Sequence, residues 1–216
     1  MDKPTYTVLK EVRTTMEEKR SIFICSIKRI TSEEEAMEFI GSIKAQYKDA
    51  THNVYAYITN NGISMRYSDD GEPQGTAGPP MLEVLKREGV NDVAAVVTRY
   101  FGGTLLGAGG LIRAYSSSCK QGLDEAVKVR TEKGMVFGMM FDYDRYGRIN
   151  NYLKSKNIII KDTVYLEKIT LDVKCLEKDY STIDRDMREM FNGEECLTVK
   201  EAIICFVDEE GKIMEV

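Results

Sequence analysis

The sequence predicts an α+β protein built in two units. In the second half, apolar runs and helix signals alternate as strand, helix, strand, strand, helix, strand. The first half has another rhythm, with an early capped helix, a late all-apolar strand, and a glycine-rich turn that leads into a long helix. The length, 216 residues, suits one large domain or two small ones, and 43% hydrophobic with 30% charged residues is an ordinary globular composition.

Strands are predicted at residues 6–12 and 21–27. The segment TSEEEAMEFIGSIKAQY reads as a helix, because Ser32 with Glu35 forms a capping box and Ala36, Phe39, Ile40, Ile43 and Tyr47 share one face. NVYAYIT and ISMRYS follow as strands, with Asn60-Asn61-Gly62 as their hairpin turn. A polar loop, residues 68–78, leads to Pro79 and Pro80, which open a short helix over 81–88 that Gly89 stops. Residues 93–97 are five apolar residues in a row, the mark of a strand buried on both faces. A helix over 111–128 ends the unit. The polar stretch Arg130-Thr131-Glu132-Lys133-Gly134 sets the boundary, which divides the chain into 1–132 and 133–216.

The second unit opens with a strand at 135–141. Asp144 is placed to cap a helix that carries Tyr146, Ile149 and Leu153 on one face. Residues 158–165 and 166–175 are β-rich, and ITLDVKC alternates as a half-buried strand should. Asp179 is placed to cap a helix bearing Tyr180, Ile183, Met187 and Met190, with Gly193 as its stop. A strand at 199–207 completes a β-α-β-β-α-β order, the ferredoxin-like arrangement.

Composition narrows the function classes. The formal net charge is -5, so long-range attraction to nucleic acid is absent and any RNA contact needs a local basic patch. Residues 1–132 hold 17 Lys+Arg against 18 Asp+Glu, and the remainder holds 13 against 17, which places any such patch on the first unit. The five cysteines show no CxxC spacing and the chain has one histidine, so a Cys/His zinc site is not expected; free thiols in a reducing compartment are. No apolar run approaches the roughly 20 residues that span a membrane, and residues 1–13 lack a signal-peptide core. The expectation is a cytoplasmic protein with no membrane, metal or cofactor.

Three segments carry candidate chemistry. YFGGTLLGAGGLIRAY, residues 100–115, fails the Walker A template because Ala108-Gly109 follow Gly107 where Lys and Ser/Thr belong, and it fails GxGxxG at Ile112. Two readings stay open: glycines that permit positive φ and close packing, or an anion or RNA-backbone cradle from Gly102, Gly103, Gly109, Gly110 and the flanking Arg99 and Arg113. SDDGEPQGTAG places Asp69, Asp70 and Glu72 within four residues, either as a rigid turn that pairs arginines or as acid–base or cation-binding groups. His52, in DATHN, is either a hydrogen-bonding residue at a strand entry or a general base.

DATHNVYAY, RYSDDGEPQGTAGPPMLEVL and VVTRYFGGTLLGAGGLIRAY together resemble the signature segments of the IMPACT family, in its bacterial YigZ-like branch. The resemblance implies a first domain like the second domain of ribosomal protein S5, an α/β sandwich, and a second domain like the ferredoxin-like domains III and V of elongation factor G. It implies a non-enzymatic regulatory or accessory factor of translation, with RNA, the ribosome or a protein of translation control as partner. Eukaryotic relatives regulate translation under amino-acid starvation by competing for the activator of a kinase that bacteria lack. The positions carried over are His52, Asp69, Asp70, Glu72, Arg99 and Arg113. Leu105 stands where many relatives have lysine and Pro79 where several have arginine, which removes cations from the anion reading. The alternative is a small-molecule hydrolase or phosphate-ester enzyme that uses His52, the Asp69–Glu72 carboxylates and the glycine turn.

Overall fold

The computed structural model describes residues 5–59, 62–156 and 158–214. Two compact units emerge, Met1–Val129 and Arg130–Val216.

The first unit comprises β1 (Thr5–Val8), β2 (Val12–Glu18), β3 (Ser21–Arg29), α1 (Glu33–Gln46), β4 (His52–Thr59), β5 (Ser64–Ser68), α2 (Gly78–Arg87), β6 (Val93–Tyr100) and α3 (Ala108–Glu125). Five of its strands form an antiparallel sheet in the order β2-β3-β6-β4-β5. The central strand β6 is buried through Arg99 because helices cover both sheet faces. Ala94 and Val96 point to α1 and meet Phe39, Ile40 and Ile43. Val93, Ala95 and Val97 point the other way, to α2 and α3, where Met81, Leu85, Leu111 and Cys119 complete the larger core. Period-two alternation then dictates the next positions: Thr98 belongs to the α1 side and Arg99 to the α2/α3 side. The register pairs His52 of β4 and Phe23 of β3 with Arg99, one from each side. A histidine and an arginine are thereby carried to the end of the core beneath α3.

The second unit contains β7 (Lys128–Phe141), a 3₁₀ turn (Tyr143–Arg145), α4 (Tyr146–Ser155), β8 (Ile159–Tyr165), β9 (Ile169–Leu176), α5 (Glu177–Met190) and β10 (Leu197–Val207). Its strands pair antiparallel in the order β10-β7-β9-β8. Ile149, Leu153, Ile183 and Met187 of the helices pack with Phe137, Met139, Leu171 and Val173 of the sheet.

Several expectations are corrected. The predicted strand at 6–12 is two strands, interrupted where Leu9 and Lys10 donate to the carbonyls of Val127 and Ala126. The polar stretch 130–134, read as the boundary, is itself strand within β7, because residues 130–134 pair with β10, Arg130 opposite Val207 and Gly134 opposite Ile203. Asp144 lies inside the 3₁₀ turn and caps nothing; the Arg145 N–H is bonded to the Asp142 carbonyl. Helix α5 starts two residues before Asp179, which sits in its first turn beside the positive end of the dipole. Ser32 caps α1 as expected, but Glu35 returns to Thr31 rather than to Ser32, taking its N–H at 2.5 Å and its hydroxyl at 2.9 Å. The hairpin turn at Asn60-Asn61-Gly62 lies partly outside the described residues. Among the described residues, no helix is long and apolar enough to cross a membrane.

Candidate functional site

The loop between β5 and α2 is organised by its own carboxylates. Asp69 accepts the Gly75 N–H at 2.8 Å with one oxygen, and those of Ala77 and Gly78 at 3.1 and 2.8 Å with the other. It thus tethers the start of α2, where no side-chain cap exists. Asp70, at φ +46°, accepts the Asn53 N–H at 2.7 Å and pairs with Lys44 at 2.6 Å. Burial works to raise its pKa, but the Lys44 ammonium and the Asn53 N–H outweigh it and hold the carboxyl below the ordinary aspartate value.

Glu72 differs from both. It turns into the core end, only 7% exposed, and Arg99 meets it at 2.6 Å while itself 5% exposed. Tyr115 of α3 donates its hydroxyl to the same oxygen, Oε1, at 2.7 Å. Burial, and then the bond to Glu72, push the Tyr115 phenol far above its ordinary range, so it stays a donor. The Arg99 guanidinium also donates to Ser21 at 3.3 Å and lies 5.4 and 5.6 Å from the ring centres of Phe23 and Phe101. Its Nε–H is buried with no hydrogen-bond partner among the described residues. His52 Nε2 is 3.9 Å from Glu72 Oε1, too long for a hydrogen bond. Its Nδ1 is 2.8 Å from the Asp70 carbonyl, which can only accept, so Nδ1 carries a proton, and whenever the ring is neutral Nε2 presents a lone pair.

These groups open into one cleft of about 370 Å³, lined by Thr51 and His52, by Gly71, Glu72 and Pro73, and by Arg99, Phe101 and the turn into α3. All three candidate segments therefore meet at one site. Asp69, Asp70 and Glu72 do not converge on a cation, since backbone N–H groups, Lys44 and Arg99 occupy them; among the described residues no group of three acidic, His or Cys side chains could hold a metal. Arg99 and Arg113 do not share an anion cradle. Arg99 is neutralised by Glu72, and Arg113 lines a separate cleft with Met16, Glu18, Lys19 and Gly110.

The glycines divide by role. A Cβ at Gly102 would lie 2.1 Å from the backbone of Arg20, so the turn seats directly on the β2–β3 hairpin, and the Gly102 N–H donates to Ser21 at 3.1 Å. Gly103 takes φ +80° facing open space. Gly109 and Gly110 lie inside the first turn of α3 rather than before it, because the helix starts at Ala108 after Gly107 at φ +71°. A Cβ at Gly110 would crowd Leu106 at 2.9 Å.

Sequence reading missed Tyr115, Ser21 and Phe101. For Tyr115 a signal existed: it falls four residues after Leu111 on a buried helix face, and a buried phenol needs a partner.

A profile of the Impact N-terminal domain matches residues 19–123, which contain every residue of this cleft, and a domain of unknown function (DUF1949) matches 140–194. IMPACT family member YvyE of Bacillus subtilis is 41% identical over 191 residues, 88% of this chain and 87% of its own length. The chain belongs to the IMPACT family. Bacterial members further include one from Haemophilus influenzae, 31% identical over 87% of this chain and 93% of its own, and YigZ of Escherichia coli, 41% identical over 57% of this chain and 59% of its own. A crystal structure described as a hypothetical protein superposes with TM-score 0.63 at 29% identity, covering 93% of this chain and 99% of that one. In this IMPACT chain the family-matched region carries a buried Glu72–Arg99–Tyr115 cluster with a tautomer-directed histidine at its mouth.

Proposed function

We propose that this chain is a non-enzymatic regulatory or accessory factor of translation that works in the cytoplasm and binds RNA or the ribosome through its first unit. One observation carries the reading. Lys19 and Arg20 form the tip of the β2–β3 hairpin, both at positive φ (+47° and +68°) and both exposed. Arg113 borders the same cleft as Lys19, and Gly102 packs on the Arg20 backbone, which brings exposed Phe101 alongside. Among the described residues none of the three cations forms an ion pair, although Glu18 shares the cleft wall. Cations that track a backbone beside an aromatic face are the elements of single-stranded RNA binding. A net charge of -5 leaves such a local rim as the electrostatic route to RNA.

The wider architecture supports the same reading. Helices on both faces of the first sheet fit an S5 domain 2-like sandwich, and the strand order β10-β7-β9-β8 fits a ferredoxin-like second domain of the kind found in elongation factor G. On this reading the domains are 1–132 and 133–216, and a protein of translation control is a further partner. The comparison with Protein IMPACT homolog of Dictyostelium discoideum, 38% identical over 42% of this chain and 27% of its own, is in keeping with it.

The test is binding of a labelled single-stranded RNA, and sedimentation with ribosomes, across a salt series. Affinity should fall with salt, and Lys19→Ala, Arg20→Ala and Arg113→Ala should each lower the salt slope by about one. Binding that ignores these three residues, or no binding at low salt, refutes the reading. A hydrolytic role draws on the free Nε2 lone pair of His52 alone; turnover of an ester or phosphoester that His52→Ala abolishes would establish it.

A further inference from the structure

We propose that the His52–Glu72 cleft seats a single unstacked guanine-type base edge, meaning adjacent N–H donors beside a carbonyl. The proposal deepens the RNA reading only in the source it expects for the base, since a free nucleoside presents the same edge.

The floor of the cleft offers acceptors. Glu72 Oε1 is occupied by Arg99 and Tyr115, whereas no hydrogen bond reaches Oε2 among the described residues. In the neutral ring His52 Nε2 offers a lone pair, because the one proton is on Nδ1, committed to the Asp70 carbonyl. A ligand must therefore bring donors in pairs. It should also be neutral at that end: Arg99, 2.6 Å from Glu72 Oε1, already balances the carboxylate, so an ammonium would bring a second, unbalanced positive charge to the same group.

The turn into α3 offers donors. Gly107 and Ala108 line the cleft at the start of α3, which has no side-chain cap, so its first N–H groups suit a carbonyl oxygen. Apart from Thr51 and Arg99, the remaining lining is largely apolar: Phe101, 46% exposed, with Leu105, Leu106 and Leu111. Arg99 lies 5.6 Å from the Phe101 ring centre and helps to hold it as a stacking surface. The 370 Å³ volume falls within the range of about 300–1,000 Å³ usual for small-molecule sites and leaves room for one base.

Guanine fits this pattern, with N1–H and the exocyclic N2 amino group as donors and O6 as the neighbouring carbonyl. Uracil has one donor between two acceptors. Adenine and cytosine set a ring acceptor beside their amino group, so a lone pair would face Glu72 or His52. Hypoxanthine keeps N1–H and O6 but lacks the amino group, which makes inosine the discriminating control.

His52 is the sole histidine of the chain, so its imidazole resonances need no assignment. In the full-length ¹⁵N-labelled protein at pH 8, the ¹H–¹⁵N imidazole correlation should show the Nδ1–H tautomer. Guanosine should then shift the Nε2 resonance saturably, inosine should bind about tenfold more weakly, and uridine should have no effect. Phe101→Ala, at an exposed position, should weaken guanosine binding at least about fivefold. A second arm uses a short single-stranded RNA with one central guanine against the same RNA with inosine there. An Nε2–H tautomer, equal responses to guanosine and uridine, or no response to any nucleoside overturns the proposal. RNA bound through Lys19, Arg20 and Arg113 with His52 unmoved also overturns it and leaves the RNA reading standing. Guanosine sensed by His52 while RNA goes unbound supports the base seat and refutes the RNA reading.

Discussion

Removing the carboxylate of Glu72 should be among the most damaging single changes in the first unit. Glu72 and Arg99 are 7% and 5% exposed and 2.6 Å apart, so solvent screens their attraction little. Glu72→Ala leaves a guanidinium buried between Phe23 and Phe101 and takes the acceptor from the Tyr115 hydroxyl. Breaking one side of a buried pair costs about 3–5 kcal/mol. At about 2–4 °C per kcal/mol for a chain of this size, a loss of about 4 kcal/mol lowers the melting temperature by about 8–16 °C. Circular dichroism on heating, with urea midpoints at unchanged m-value, reads this directly. The penalty is for the orphaned charge rather than for lost packing, so Glu72→Leu with Arg99→Met and Tyr115→Phe should recover to within about 2 kcal/mol of the parent. A loss below about 1 kcal/mol for Glu72→Ala, or a triple variant no more stable than the single one, would refute the argument.

Other outcomes test neighbouring parts of the fold. Gly102→Ala forces a Cβ to within 2.1 Å of the Arg20 backbone and should cost about 3 kcal/mol or more, whereas Gly103→Ala, at φ +80° in open space, should cost about 1 kcal/mol; equal urea midpoints would contradict the close seating of the turn on the hairpin. The folded-state pKa of Asp70 is depressed, so its contribution to stability is complete above the unfolded value of about 3.9 and disappears as pH falls through the lower folded value. Asp70→Asn should therefore flatten the acid limb of the stability–pH curve below about pH 4. Thiol titration should label Cys196, the partly exposed cysteine, well before the others. Burial pushes the Cys119 and Cys175 thiols up to about 12, and Cys25 also moves well up, so these should react only on unfolding. Labelling of Cys25 at the rate of Cys196 would show the α2/α3 core to be open.

Local chemistry made much of the fold legible. The Ser32 cap, the 3–4 spacing of Ala36, Phe39, Ile40 and Ile43, and the apolar run of β6 each decide a local structure by themselves, and the β-α-β-β-α-β order of the second unit follows from the same kind of signal. Boundaries were less legible. Residues 130–134 are polar enough for a linker, and only their pairing with β10 makes them strand. Edge strand β2, VRTTMEE, has its inward residues interleaved with charges and polar groups, so its place depends on β3 beside it.

For the site, sequence determined the residue inventory: one histidine, three clustered carboxylates, two arginines around a glycine turn, and no nucleotide-loop template. Tertiary structure decided which of them act together. Strand register set His52 and Phe23 opposite Arg99, and the parity of β6 turned Arg99 inward to Glu72 and Tyr115 rather than outward to a ligand. Arg113 took the other side of α3 and joined Lys19, from a hairpin more than ninety residues away along the chain. The physical reason is that a side chain's partner depends on the face it occupies and on what the opposing element presents there. Face is a local property with a period the chain displays; the opposing element is supplied only when the sheet and helices close around it.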